Sequence, residues 1–392
     1  MLQMDHITKL LDLDSTVIRD VEMTPDTIFL YLERERKLHY CPVCGALTDR
    51  IHDYRTQKVK DLPLHGKGVI LVYRKRRYRC ECCGKRFYEE NPLLPRRHRI
   101  TNRTALYSMV LLQKKQSRKD IAEDLHVSES TITRWLCLSE YGKPAKLPEV
   151  VSIDEFKGNT NSRKFHGILT DPVRKKVLDI TESNSEYALY QYLKSFPNRK
   201  DVKYFVSDMR KEYVSMARNL FPNAVIVIDR FHVARYNTWA FENVRKNVQK
   251  ELSPEFRKYF KNSRRLLLKR QEELTPEGKE KVIRMLQIDP KLGKAYLLKE
   301  KFYAFMDSED SNIARKRLKE FLLHAAAADL SEYESCITML TNWHRYILNA
   351  FDCTYSNGFT EGCNNTIKVI KRTGYGYRNF DNFRNRILMV MN

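Results

Sequence analysis

Three apolar runs in this chain each end on an aspartate: Val150-Val-Ser-Ile-Asp154, Val202-Lys-Tyr-Phe-Val-Ser-Asp208 and Ala224-Val-Ile-Val-Ile-Asp229. Short β-rich runs of this kind read as buried strands, and strand ends in an open α/β sheet converge on the crevice where ligands bind. Acids placed there are hard to explain as solvated surface. A fourth acid, Glu361, follows a Ser356-Asn-Gly358 turn and opens a helix-like run. Residues three and four apart on a helix are neighbours, so Glu361, Asn364, Asn365 and Lys368 project to one side, with Lys371 and Arg372 close behind. One carboxylate among amides and cations suits a surface that meets a metal and a polyanion together.

The surrounding order constrains the fold further. Strand-like runs at 150–153, 165–170 and 176–180 precede a helix at 186–196, a strand at 202–207, a helix at 211–220 and a strand at 224–228. Three sequential strands followed by alternating helix and strand give an RNase H-like α/β domain. From about 231 to 350 the pattern is almost wholly helical and basic, punctuated by Pro254, Pro276 and Pro290. That block interrupts the α/β domain, which resumes at Glu361. The gap 208 − 154 = 54 is short, and 361 − 208 = 153 is long enough to house the helices. Three acids suffice for two hard divalent cations, Mg²⁺ or Mn²⁺, which clamp the attacking and leaving oxygens of an in-line phosphoryl displacement.

Upstream stand two Cys-x-x-Cys-Gly knuckles, Cys41-Pro-Val-Cys44-Gly45 and Cys80-Glu-Cys-Cys83-Gly84, across strand-like runs at 27–32 and 69–73. The pairing reads as a zinc ribbon with Cys41, Cys44, Cys80 and Cys83 as ligands and Cys82 as the spare. Four ligands leave no open position, so such a zinc is structural. Between 74 and 103 eleven Lys/Arg, among them Arg74, Lys75, Arg76, Arg77, Arg96 and Arg97, face three Glu and interleave with Tyr73, Tyr78, Phe87 and Tyr88. Cations among aromatics suit a phosphate-tracking surface. In Arg118–Leu136, Ile121, Ala122 and Leu125 line one short helix, Val127 fills a turn, and Ser128 caps a second helix with Ile132, Trp135 and Leu136 inward. This is a helix-turn-helix pattern, with His126 at the turn position usually given to Gly. Arg118, Ser130, Thr131, Thr133 and Arg134 are its DNA-facing candidates. A Pro/Gly/Lys linker follows at 141–148.

The formal charge is +22, which directs the chain toward nucleic acid or another anionic surface. No run of 18 apolar residues is present, so no membrane span is expected, and the opening Met-Leu-Gln-Met-Asp-His lacks the pattern of a secretory leader. Of nine cysteines, five fall within 41–83, which reads as a metal site in a reducing, cytoplasmic setting and not as a disulfide framework. No small-molecule substrate is suggested.

The paired knuckles, Ser152-Ile-Asp-Glu-Phe156, Phe221-Pro-Asn-Ala-Val-Ile-Val-Ile-Asp-Arg-Phe-His-Val233, the run from Ser356 to Lys368, and Lys371-Arg-Thr-Gly-Tyr-Gly-Tyr-Arg-Asn-Phe380 occur together. Their combination resembles the bacterial insertion-sequence transposases of the ISL3 family, in the DDE class, over essentially the whole chain. The resemblance implies that Asp154, Asp208 and Glu361 form the metal-binding triad. Asp229 and His232 match an Asp-x-x-His element of related transposases with helical insertions, read here as bracing the core, with exchanged roles for Asp208 and Asp229 left open. His232 is assigned no metal. Lys368 matches a basic residue set two turns after the last acid, against a DNA phosphate. Trp239 and Trp343 are read as packing residues in preference to base contacts. The implied activity is cleavage at terminal inverted repeats and joining of the 3′-OH to target DNA, by at least a dimer on double-stranded DNA. A non-catalytic regulator and a hydrolysis-only nuclease are the rival readings. The expected layout is a ribbon domain at 1–100, helix-turn-helix at 101–140, catalytic core at 149–235 and 351–392, and helical insertion at 236–350.

Overall fold

The computed structural model describes residues 11–13, 16–89, 93, 98–260 and 263–392. The opening segment read for a leader, and Arg96 and Arg97 of the basic run, lie outside the described residues. The chain divides into two compact units, Met1–Tyr141 with Lys368–Asn392, and Gly142–Ile367.

The first unit opens with β1 (Thr16–Met23), β2 (Thr27–Arg34), β3 (His39–Tyr40), β4 (Leu47–Thr48), β5 (Ile51–Leu64), β6 (Lys67–Arg79) and β7 (Arg86–Tyr88). The main sheet has the order β1-β2-β6-β5, with β7 on β6. The strands expected at 27–32 and 69–73 lie side by side and parallel in β2 and β6, with Leu30 opposite Leu71. The sequence did not announce β5. It pairs with β6 through a two-residue turn, His65-Gly66, both at positive φ, the geometry that matches strand twist in tight hairpins. Only Val59 and Asp61 of β5 are turned fully inward, so its charged outer positions hide the alternation. Ile18, Ile28, Leu32, Val59, Val69, Leu71 and Tyr73 form the core beneath.

Three helices follow: α1 (Asn102–Gln113), α2 (Arg118–Asp124) and α3 (Glu129–Leu138). Ser117 and Asp120 make a capping box on α2, and Ser128 accepts from the Thr131 N–H at the head of α3. Ile121, Ala122, Leu125, Ile132 and Leu136 are buried as the helix-turn-helix pattern requires, and His126 takes φ +50° in the turn.

The second unit contains β8 (Val150–Lys157), β9 (Phe165–Asp171), β10 (Lys176–Thr181), α4 (Glu186–Lys194), β11 (Tyr204–Ser207), α5 (Lys211–Leu220) and β12 (Val225–Ile228). Its sheet has the order β10-β9-β8-β11-β12. β10, β9 and β8 are antiparallel, whereas β8, β11 and β12 are parallel. That is the RNase H-like arrangement. Leu189, Leu193, Tyr213, Ala217 and Leu220 of α4 and α5 pack on Val151, Ile153 and Phe205.

The helical region then runs through α6 (Arg230–Glu251), α7 (Pro254–Tyr259), α8 (Ser263–Leu268), α9 (Pro276–Ile288), α10 (Pro290–Met306), α11 (Ser311–Ala328) and α12 (Glu334–Asn349). Pro276 and Pro290 each open a helix, where the missing N–H costs nothing. Phe241, Phe302, Phe305, Phe321, Tyr333 and Leu340 fill its core. Two helices close the chain, α13 (Gly358–Thr373), which carries Glu361 in its first turn, and α14 (Phe380–Met391). Among the described residues no helix is long and apolar enough to cross a membrane.

Candidate active site

Strand register places the acids. Val206 of β11 lies opposite Ser152 of β8, and Ser207 lies opposite Ile228 of β12. One or two residues further on, Asp154, Asp208 and Asp229 therefore stand level across three adjacent parallel strands. β8 does not stop at Asp154 as its apolar run suggested. It continues to Lys157 against β9, so Asp154 sits at the step where its parallel neighbour leaves the sheet.

Glu361 enters from α13, and His232 lies one turn into α6. His232 Nδ1 is 3.1 Å from Asp208 Oδ1, 3.5 Å from Asp229 Oδ2 and 3.9 Å from Glu361 Oε1. Asp229 occupies the N-cap position of α6 yet makes no side-chain capping bond, being turned toward this cluster. One imidazole proton cannot satisfy three carboxylates. His232 Nδ1 and Asp229 Oδ2 are buried with no aligned hydrogen bond. The tightest grouping is Asp229, His232 and Glu361, whose candidate ligand atoms lie within 4.8 Å of one another. A hard cation fits a buried, oxygen-rich donor set with an orphaned oxygen.

Electrostatics agree with the crowding. Burial, and then the Asp208 charge, push the Asp154 carboxyl up to about 7. Burial also raises Asp208 and Glu361, with Asp229 adding to both. The Asp229 carboxylate, followed by Asp208 and Glu361, raises His232 against its own burial.

Asparagines unmarked as site residues in the sequence organise the acids. Asn364 Nδ2 donates to Asp154 Oδ2 at 2.7 Å. Fully buried Asn357 gives its Nδ2 to Asp208 Oδ1 at 3.4 Å and its backbone N–H to Asp229 Oδ1 at 3.4 Å. Its own Oδ1 accepts from Ser152, which also receives the Thr360 hydroxyl at 3.0 Å. The only sequence signal was amide side chains flanking Glu361 at one-turn spacing.

In the first unit, the four expected zinc ligands come together. Cys41 and Cys83 sulfurs are 3.5 Å apart, as are those of Cys44 and Cys80, and Cys82 stays outside. Gly45 and Gly84 follow each knuckle at φ +71° and +69°, where a side chain would be strained. Four thiols at this spacing match a tetrahedral Cys₄ site.

The comparisons with known proteins divide along the same lines. The ISL3 transposase model matches residues 151–387, spanning the acid-bearing sheet and helices. This chain belongs to the ISL3 family of DDE transposases. The zinc-finger model of the IS204/IS1001/IS1096/IS1165 transposases matches 37–83, and the family's helix-turn-helix model matches 89–136. The transposase of insertion sequence IS1001 from Bordetella parapertussis is 27% identical over 367 residues, covering 91% of this chain and 90% of that protein. A Lactococcus lactis subsp. lactis protein named as an ATP-dependent protease is 32% identical over 109 residues, 28% of this chain and 33% of its own. So short a match says nothing about the acid cluster.

For an ISL3-family transposase the DNA-facing candidates are of interest one by one. Ser130 and Arg134 on α3 are exposed, and Thr131 and Thr133 are half-buried. Arg118 lies 3.4 Å from Thr133 Oγ1 and over the Tyr377 ring. Thr131 and Ser128 line a crevice with Lys58, Lys60 and Arg99, cations of the unforeseen β5 among them. Arg74 is exposed beside Tyr54, and Lys75 and Arg77 lie over Tyr88. Arg76 is buried, 3.6 Å from both Glu33 and Glu89, and donates to the Arg34 carbonyl, so its guanidinium is engaged within the sheet. Lys368, Lys371 and Arg372 lie on α13 beyond Glu361. Trp343 packs against the core, but Trp239 is 51% exposed beneath Arg235, contrary to its expected packing role.

Proposed function

We propose that Asp154, Asp208 and Glu361 hold two divalent cations, Mg²⁺ or Mn²⁺, and that the transposase cleaves and joins DNA there. What supports this most is the register that sets Asp154 and Asp208 level on neighbouring strands, with Glu361 of α13 3.9 Å from the His232 nitrogen that also meets Asp208. When bound, the cations would polarise the scissile phosphate and lower the pKa of the attacking hydroxyl. In the first step a water oxygen bonds to phosphorus, the P–O3′ bond breaks, and the 3′-oxygen leaves with a proton. In the second, that 3′-OH attacks a target phosphate and displaces the target's own 3′-oxygen. No covalent protein–DNA bond is required.

The chain's residues supply position. Asn364 fixes Asp154, Asn357 fixes Asp208, and Asp229 with His232 braces the cluster. The zinc ribbon and helix-turn-helix bind the terminal inverted repeats through Arg74, Lys75, Arg77, Arg118, Ser130, Thr131, Thr133 and Arg134. Lys368, Lys371 and Arg372 meet phosphates near the cut. Pairing two ends requires at least a dimer on DNA. A second assignment, in which Asp229 replaces Asp208 as metal ligand, draws on the close grouping of Asp229, His232 and Glu361.

The test is cleavage and strand transfer on labelled element ends with Mg²⁺ or Mn²⁺, wild type beside Glu361→Gln. Wild type is expected to nick and join, and Glu361→Gln to bind the ends while losing about 10²–10³-fold in rate. Binding without cutting by both proteins points to a regulator. Nicking without joining points to a nuclease.

A further inference from the structure

The helical region carries a basic crevice that the assignments above leave unused. It is open, about 920 Å³ in volume, with Leu268 and Tyr303 among its lining. Arg264, Arg265, Lys269 and Arg270 line it against a single acid, Glu273. These charges are only partly neutralised. Arg264 shares Glu242 with Arg245, so one carboxylate serves two guanidinium groups. Lys269 donates to a backbone carbonyl, that of Glu273, at 3.2 Å.

The segment bearing these cations is pinned in place. Lys299, fully buried, donates to the Leu267 and Lys269 carbonyls at 2.9 and 2.6 Å. Tyr303 Oη donates to the Leu268 carbonyl at 2.9 Å. The last carbonyls of α8 are thereby satisfied from below, which turns its cationic side chains outward on a rigid support. A buried lysine is costly unless paired, and here its bonds go to this segment and to Glu300.

A chain of contacts links the crevice to the segment bearing the acid cluster. Arg270 pairs with Asp307. The preceding residue, Met306, gives its carbonyl to Arg230 at 3.4 Å, and Arg230 directly follows Asp229. Two arginine side chains thus span from the crevice rim to the site.

We propose that this crevice is a second DNA-backbone site, holding phosphates of the strand that continues from the acid cluster. The inference rests on the DNA-transposition reading above. Partly neutralised cations on a fixed support suit phosphodiester oxygens spaced along a strand.

The experiment measures binding of the full chain to a duplex carrying the element end and its flank, over a salt series, with phosphate-ethylation interference. Arg264→Gln/Arg265→Gln/Lys269→Gln is compared with wild type and with Arg174→Gln/Lys175→Gln/Lys176→Gln. The latter removes equal charge from the β9–β10 turn, on the opposite side of Asp154 along the strand. The crevice variant is expected to reduce the slope of log K against log salt by about two or more, at ~0.9 per phosphate contact. It should also lose interference over one contiguous stretch, while the control keeps wild-type values. Arg265→Gln alone should lose about one unit of slope on the same scale, with an unchanged thermal midpoint. Equal slopes for crevice variant and wild type, or an equal loss in the control, overturn the crevice site while the catalytic reading stands. Failure of wild type to bind or cut the end overturns both.

Discussion

Asn357 is the residue on which most of the site's geometry depends. It has no exposed surface and touches Ser152, Asp208 and Asp229, three points on three adjacent strands. Asn357→Ala leaves a buried hydroxyl and a carboxylate without their partner, at a cost of about 1–3 kcal/mol in stability. We expect urea unfolding to show that loss, and cleavage to fall further than binding, because Asp208 is no longer held. Asp154 gives the site a pH signature. Its folded carboxyl stands at about 7 against an ordinary 3.8, chiefly through burial. Between those values the folded chain keeps a proton that the unfolded chain has released, so stability falls as pH rises. His232, also raised, contributes fully below its ordinary value and loses that contribution as pH passes its folded one. The metal-free protein should therefore melt lower at about pH 8 than at about pH 5, and Asp154→Asn should flatten the trend. A midpoint that climbs over that range would contradict the burial of Asp154.

At the scale of elements, one side chain ties the last helix to the helix-turn-helix. Arg386 of α14 is 1% exposed and donates to the carbonyls of Leu112, Lys114 and Gln116, at and beyond the end of α1. A helix C-terminus has four unpaired carbonyls; this guanidinium satisfies one of them, Leu112, and two carbonyls just beyond the helix, while Met389 joins the helix-turn-helix core. Arg386→Met keeps the volume and removes the donors. It should destabilise the first unit by about 3 kcal/mol, with end binding lost at a lower temperature than in wild type. Unfolding that matches wild type would mean the carbonyls find other partners. The knuckles, the cap at Ser128 and the turn at His126 were legible in the sequence because each is local chemistry. β5 and the role of Arg386 were not, since a half-exposed charged strand and a capping arginine some 270 residues away leave no local period.

Across the molecule, the fold was legible where burial imposes a pattern. Apolar runs ending in Asp located the sheet, and helical periodicity located the inserted region between β12 and α13. The site was legible in its acids and blurred in its supports. Sequence placed Asn364 on the Glu361 face but not its bond to Asp154, Asn357 stood only in a turn until α13 docks on β8, and Arg76 reads as surface until Glu33 and Glu89 enclose it. Sequence could not separate Asp208 from Asp229, because both follow strands and both end one Oδ within 3.5 Å of His232. Ligation itself separates them. Asp208→Cys and Asp229→Cys would be assayed for end cleavage in Mg²⁺ and in Mn²⁺, since a thiolate is a poor ligand for the first ion and a better one for the second. With Asp208 as the metal ligand, Asp208→Cys is dead in Mg²⁺ and regains cleavage in Mn²⁺, while Asp229→Cys shows no metal-dependent rescue. Rescue at Asp229 alone would exchange their roles, and rescue at neither would contradict cation binding by these acids.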